Sequence, residues 1–184
     1  MKTELKLGKA LKTLMATQPL DTITVKKISE MCKVNRQTFY YHFRNIYDLL
    51  TWIYLNETVE NIDHVTSWEE ALTFVFRYVN DNAAFISNTL SSAGRELFIE
   101  FLYNTTYTMQ LRELNRIDVD NVLSSTNKKF ISQFYAPSFV FVVVHWADSG
   151  RKEDPKVLIK QVSILADTYL TDAIEKFRKA KAKK

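Results

Sequence analysis

An all-α protein is predicted by three observations. The 184 residues include three glycines and three prolines, about 3% of the chain where average usage gives roughly 12%, so the turns of a many-stranded sheet are missing. Apolar residues recur at i, i+3, i+4 and i+7 over long stretches, the pattern of one helix face. Hydrophobic residues make up 46% of the chain, enough for a sizeable core. The longest unbroken apolar run, Phe139 to Val144, is far too short to cross a bilayer, so a soluble globular protein without a membrane partner is expected. Lysines interrupt the N-terminal stretch MKTELKLGKALKTL, which rules it out as a signal-peptide core. Cys32 is the only cysteine, so no internal disulfide forms and a reducing cytoplasm is expected.

Taken in order, Leu7, Ala10, Leu11, Leu14 and Met15 mark the buried face of a first helix, with Lys2, Lys6 and Lys9 on another face. Pro19 closes it. Thr24 can cap a short helix from Val25 to about Cys32, with Ile23 packing on Ile28 as a hydrophobic staple. Asn35 can cap a helix starting at Arg36, and Val34 can reach Phe39. Asn45 as cap and Asp48 at the third helical position open a fourth helix, to about Thr66. Ser67 with Glu70 forms a capping box, and Asp81 or Asn82 can cap a helix through Leu90. Gly94 precedes a long helix whose Leu97, Phe101, Thr105, Tyr107 and Met109 suggest a buried, partly aromatic side. Asp118 or Asp120 opens another helix, and Asp154 with Pro155 opens the last. The run FVFVVV at 139–144 has strand propensity, but no partner strand is evident, so it is read as helix, kinked at Pro137. About nine helices are expected.

Charge divides the chain. Residues 1–57 carry nine Lys or Arg against five Asp or Glu, a balance of +4. Residues 58–176 carry eleven against sixteen, and the tail FRKAKAKK adds five cations. A basic head on an acidic body suits binding of a polyanion by the head.

Two short helices, a turn of about three residues and a second helix with polar residues on its first turn describe a helix-turn-helix at residues 24–43. Ile28, Cys32, Val34 and Phe39 form the small core that fixes the crossing angle. Arg36 and Gln37 are then free to enter the major groove, where Arg pairs with guanine and Gln with adenine, each contact being worth about 1 to 3 kcal/mol of discrimination. Thr38, Tyr40, Tyr41 and His42 offer donors to flanking phosphates, contacts that position rather than specify. Thr24, Lys26, Lys27 and Lys33 complete the phosphate set, and double-stranded DNA is the expected partner.

The stretch ITVKKISEMCKVNRQTFYYHFRNIYDLL resembles the DNA-binding head of the TetR/AcrR family of bacterial transcriptional regulators, whose pattern runs roughly T-V-x-x-I-A-x-x-A-G-V-S-x-x-T-F-Y-x-H/Y-F-x-x-K-x-x-L. The match covers about residues 5–55, and TFYYHF is its most specific part. Ser29 and Cys32 replace the usual alanines, Lys33 stands where the turn glycine is common, and Ile46 replaces a frequent phosphate-contacting lysine. RQTFY with an aromatic-rich C-terminal half is similar to the branch that includes regulators of dihydroxyacetone kinase operons. The resemblance implies a head over residues 1–55 and an effector and dimerisation domain over residues 56–184. It also implies a homodimer that binds a partly palindromic operator and represses until a small-molecule effector releases it. The alternative is an activator or co-regulator whose C-terminal domain binds a protein partner.

For the effector pocket the candidates are Phe74, Tyr78, Phe101, Thr105, Met109 and Phe134, although any single aromatic residue here is more simply core. The last two helices are expected to pair with their copies as a four-helix bundle. Val140, Val143, Val144, Trp146 and Ala147 are candidates from one helix, and Val157, Leu158, Gln161, Leu165 and Tyr169 from the other. His42, His64 and His145 lack metal-ligand spacing, no cofactor is implied, and no nucleophile motif or phosphate loop supports an enzyme.

Overall fold

The computed structural model describes residues 2–62, 67–166 and 168–182. The elements are α1 (Thr3–Met15), a 3₁₀ turn (Leu20–Thr22), α2 (Val25–Cys32), α3 (Arg36–His42), α4 (Ile46–Ile62), α5 (Trp68–Asp81) and α6 (Ala83–Leu90). They continue as α7 (Arg95–Ile117), α8 (Ser125–Asp148), α9 (Pro155–Ala166) and α10 (Tyr169–Ala182). No strand occurs among the described residues, and FVFVVV lies inside α8 together with Pro137. The end expected for the fourth helix, near Thr66, and His64 lie outside the described residues.

Two compact units result, one of Met1–Val65 with Phe74–Phe101, the other of Thr66–Thr73 with Leu102–Lys184. The boundary expected between residues 55 and 56 falls inside α4, so the head helices share the first unit with α4, α6 and part of α5. In that unit α1 packs against α2, α4 and α6, and α2 against α3. Gly8 allows the approach to α4, because a Cβ there would stand 3.1 Å from the Trp52 ring. Leu7, Leu11, Ile28, Phe39, Leu49 and Ile53 are fully buried or nearly so. Glu57 accepts from the Lys12 ammonium at 2.6 Å and from the Tyr78 hydroxyl at 3.0 Å. Burial and the Glu57 carboxylate push the Tyr78 phenol up, so it stays a donor.

In the second unit α8 buries Ile131, Ala136, Val140, Val143 and Trp146, and Tyr169 of α10 packs on Tyr135 and Phe139 at ring distances of 4.6 and 6.0 Å. The residues at 118–123 do not begin a helix as expected. Ser124 caps α8 instead, accepting from the Asn127 amide at 3.1 Å. Asp118 braces the turn before it, its carboxylate accepting from the amides of Val122 (2.9 Å) and Leu123 (3.1 Å) and pairing with the Lys128 ammonium at 3.1 Å. Asn82 stands at the N-cap of α6 without capping it, since its side-chain amide donates back to the Tyr78 carbonyl. The long α7 buries Phe98, Phe101, Leu102, Gln110 and Leu114. Thr105, Tyr107 and Met109 are only half-buried, because the inward row is set by positions 98, 102, 110 and 114.

Burial opposes the charge on Asp118, yet the two amides and Lys128 together hold its carboxyl below the ordinary value. Such a group stabilises the fold above its unfolded-state value, about 4, and loses that contribution as the pH falls through its folded-state value. Asp118→Asn should therefore lower the stability at neutral pH, by an amount on the order of 3 kcal/mol for a broken buried pair, and with it the melting temperature. The variant should also lose less stability than the wild type between about pH 5 and pH 3. Thermal melts across that range check both, and parallel acid profiles would refute the assignment.

Candidate nucleic-acid interface

The head is built by its caps. Thr24 Oγ1 accepts from the Lys27 amide at 3.2 Å and starts α2, and Asn35 Oδ1 accepts from the Gln37 amide at 3.0 Å and starts α3. Between them Lys33 adopts the left-handed conformation, φ 55° and ψ 44°. The Val34 amide then donates to the Ser29 carbonyl and the Lys33 amide to that of Glu30, which closes α2 as a glycine would at a modest strain cost. Asn45 starts α4 by accepting from the Asp48 amide, while Asp48 accepts from the Arg44 amide.

Phe39 turns into the unit with no exposed surface, with the ring edge of Tyr40 at 5.6 Å and Phe43 at 5.9 Å. The opposite side of α3 is open. Arg36 and Gln37 are exposed, Tyr40 is 58% and Tyr41 85% exposed, and Thr38 is half-buried. Among the described residues, neither Arg36 nor the Gln37 carboxamide makes an ion pair or a side-chain hydrogen bond. Lys26 pairs loosely with Glu30 at 3.8 Å, and Lys27 donates to Gln18 at 2.8 Å. The His42 imidazole is half-buried, with Nδ1 3.1 Å from a Glu4 carboxylate oxygen of α1. The expected DNA-contacting residues thus lie on α3, at its approach turn and at the start of α2. Cys32 is half-buried, and its thiol donates to the Lys6 carbonyl at 3.3 Å. Burial pushes it up against the opposing pull of Lys6, which suits a packing role rather than a reactive thiolate.

The expected pocket residues divide between the two units. Phe74, Tyr78 and Phe101 belong to the first unit, whereas Thr105, Met109 and Phe134 belong to the second. Tyr78 is engaged with Glu57, and Phe101 stacks on Tyr54 at 5.4 Å in the core. Phe134 is 65% exposed, so it lines no closed cavity in the protomer. The buried polar residue that sequence reasoning passed over is Gln110 of α7. It has no exposed surface, and neither its amide nitrogen nor its oxygen has a hydrogen-bond partner.

The interface candidates divide in two. Val140, Val143, Val144, Trp146 and Ala147 are buried, and Trp146 also donates to the Glu153 carbonyl at 2.9 Å, so they do not offer a surface to a copy. Tyr169 is buried too. Val157, Gln161 and Leu165 of α9 are exposed, and Leu158 is half-buried. The exposed apolar side of α8 is instead Phe130, Phe134 and Phe141, at 57, 65 and 67%, and α9 adds Ile164 at 66%. The i, i+4, i+11 spacing of the three phenylalanines was the available signal.

Residues 9–51 match the model of bacterial regulatory proteins of the tetR family, and residues 66–168 match that of a transcriptional regulator C-terminal region. The dhaKLM operon transcriptional activator DhaS of Lactococcus lactis subsp. lactis (strain IL1403) is 35% identical over 82 residues, 43% of this chain and 44% of that protein. The match therefore spans less than half of that relative's length. Among solved structures, a dihydroxyacetone kinase operon activator DhaS superposes with a TM-score of 0.67 at 25% identity, over 94% of this chain and 96% of that one. The fatty acid degradation regulator FadR from Bacillus halodurans shares the fold, with a TM-score of 0.62 at 17% identity over 90% of this chain and 94% of that one. Helix-turn-helix geometry and both family matches agree: the chain belongs to the TetR family of bacterial transcriptional regulators.

Proposed function

We propose that the protein is a cytoplasmic, operator-specific DNA-binding regulator that acts as a homodimer on a partly palindromic site and represses until a small molecule releases it. The observation that carries the DNA-binding part is the outward first turn of α3. Arg36 and Gln37 stand exposed and unpartnered there while the buried Phe39 fixes their helix. Two such helices about one DNA turn apart would read two half-sites. Arg36 and Gln37 read bases, and Thr24, Lys26, Lys27, Lys33, Thr38, Tyr40, Tyr41 and His42 hold phosphates. Effector control is supported by Gln110, a fully buried carboxamide without a partner, a state that a bound polar ligand relieves. A second reading is favoured by the 35% identical relative, which is named as an activator. In that reading occupancy of the same DNA face switches transcription on, with a protein partner on the C-terminal region.

For dimerisation, the exposed stripe of Phe130, Phe134 and Phe141 on α8 with Val157, Ile164 and Leu165 on α9 is the face that a second copy covers. Exposed phenylalanines repeated along one helix side mark a surface that a partner covers.

The test of DNA binding is an anisotropy titration against duplex from upstream of the protein's own gene, with scrambled duplex as control. Arg36→Ala should bring the two affinities together by a loss of about 1 to 3 kcal/mol on the specific fragment alone. Lys27→Ala should weaken both alike and reduce the salt slope by about one. Equal losses on both fragments for Arg36→Ala would remove its base-reading role. For the dimer, Phe134→Glu should shift sedimentation from dimer to monomer while helix content is kept. A variant that sediments as a dimer at micromolar concentration would place the interface elsewhere.

A further inference from the structure

We propose that Glu4 is a positioning residue for DNA binding: it holds a proton on Nδ1 of His42, so that the imidazole can reach a DNA phosphate only after a second proton is taken up on Nε2. The inference rests on the reading of α3 as the DNA-contacting helix. Glu4 lies in the first turn of α1 and His42 is the last residue of α3. The carboxylate oxygen stands 3.1 Å from Nδ1, with the two side chains 32% and 18% exposed. The ring is steadied by Tyr41, whose edge meets it at 5.0 Å and 90°, and by Phe43 at 6.3 Å.

A carboxylate has only lone pairs to offer, so an unprotonated ring nitrogen at this distance would be repelled. Nδ1 therefore carries the proton, and in a neutral imidazole Nε2 is then an acceptor only. A phosphate oxygen is also only an acceptor. The imidazolium alone, with a donor on each nitrogen, bridges Glu4 and a phosphate in charge-assisted bonds. Among the described residues the one ion pair of His42 is with Glu4. Its titratable neighbours on α3 are Tyr40 and Tyr41, Arg44 follows in the next turn, and the Asp48 carboxylate of α4 is taken up by the Arg44 amide.

The complex then holds one proton per head more than the separate partners. Affinity for DNA rises as the pH falls, by up to about tenfold per pH unit for each proton taken up on binding. It levels off once the free protein is itself protonated. Glu4→Gln changes the logic of the site, because the carboxamide can accept from Nδ1–H or donate to a bare Nδ1. A neutral ring can then place its single proton on Nε2 and reach the phosphate without a second one, and the dependence on pH flattens.

The experiment is an anisotropy titration of the full chain against a random-sequence duplex at low salt from pH 8 to pH 6, for the wild type, Glu4→Gln and His42→Gln. A random duplex suffices because a phosphate contact is independent of sequence. The wild type should gain several-fold in affinity over this range, and both variants should be flatter by at least threefold. Calorimetric titration of the wild type in two buffers of different ionisation enthalpy should show net proton uptake on binding, which needs no variant to fold. Absence of uptake, or a His42→Gln profile that parallels the wild type, overturns the inference while DNA binding stands. A parallel Glu4→Gln profile overturns the role of Glu4. Failure of the wild type to bind any duplex removes the DNA-binding reading and this inference with it.

Discussion

The orientation of the recognition surface depends on one buried ring. Phe39 has no exposed surface, and with it turned inward the 100° step of an α-helix places Gln37 and Tyr41 on the far side. Tyr41 is accordingly the most exposed aromatic residue of α3, at 85%. From Phe39 the contacts pass to Phe43 and from Phe43 to Trp52 at 5.9 Å each, so α3 is registered on α4 through rings rather than through the short loop that joins them. Gly8 lets α1 close on the same Trp52. A smaller residue at 39 would leave the caps at Thr24 and Asn35 intact and still lose the direction in which the first turn points.

Four cations of the head differ in the partners they hold. Lys12 faces inward, held by Glu57 and lying 5.7 and 5.3 Å from the centres of the Tyr78 and Phe85 rings, and it takes no part in a DNA surface. Lys26 and Lys27 make exposed contacts, of a kind that contributes about 0.3 to 0.5 kcal/mol. They can exchange those contacts for phosphate at little cost. Arg36 has no such contact to give up. The Lys12–Glu57 pair is neutral as a unit, so its inward position leaves the +4 balance of residues 1–57 unchanged.

Local signals were legible in the sequence wherever a single side chain decides the outcome. Thr24, Asn35, Asn45 and Ser67 cap the helices they were expected to cap, because a cap depends on residues only two or three positions away. Asp118 was misread for the complementary reason. A carboxylate before an apolar run looks like an N-cap, and only the arrival of Lys128 from the next helix shows that it braces a turn. Asn82 was lost to a carbonyl one turn back. The outward row of α3 could be read from TFYYHF, whereas the isolation of Gln110 could not, since a glutamine in an apolar helix looks the same whether or not a partner meets it. The unit boundary inside the chain was equally hidden, as no glycine or proline marks it.

The valines of α8 show how a correct helix can carry a wrong assignment of faces. Apolar residues fall almost all round this helix, a pattern that identifies burial without saying against what. By length and hydropathy it would even pass for a membrane span, with a mean hydropathy of 1.3 over its most apolar window. Half of that window is buried within the protein, and the Asp118–Lys128 pair at its start belongs to a packed interior rather than to lipid. The side that holds Val140, Val143 and Trp146 is buried, whereas Phe130, Phe134 and Phe141 are uncovered. Three phenylalanines more than half exposed on one helix side are costly in water. A helix apolar on two sides is economical only if each side has a partner: the interior of the protein for the valines and, in the proposed dimer, the copy for the phenylalanines.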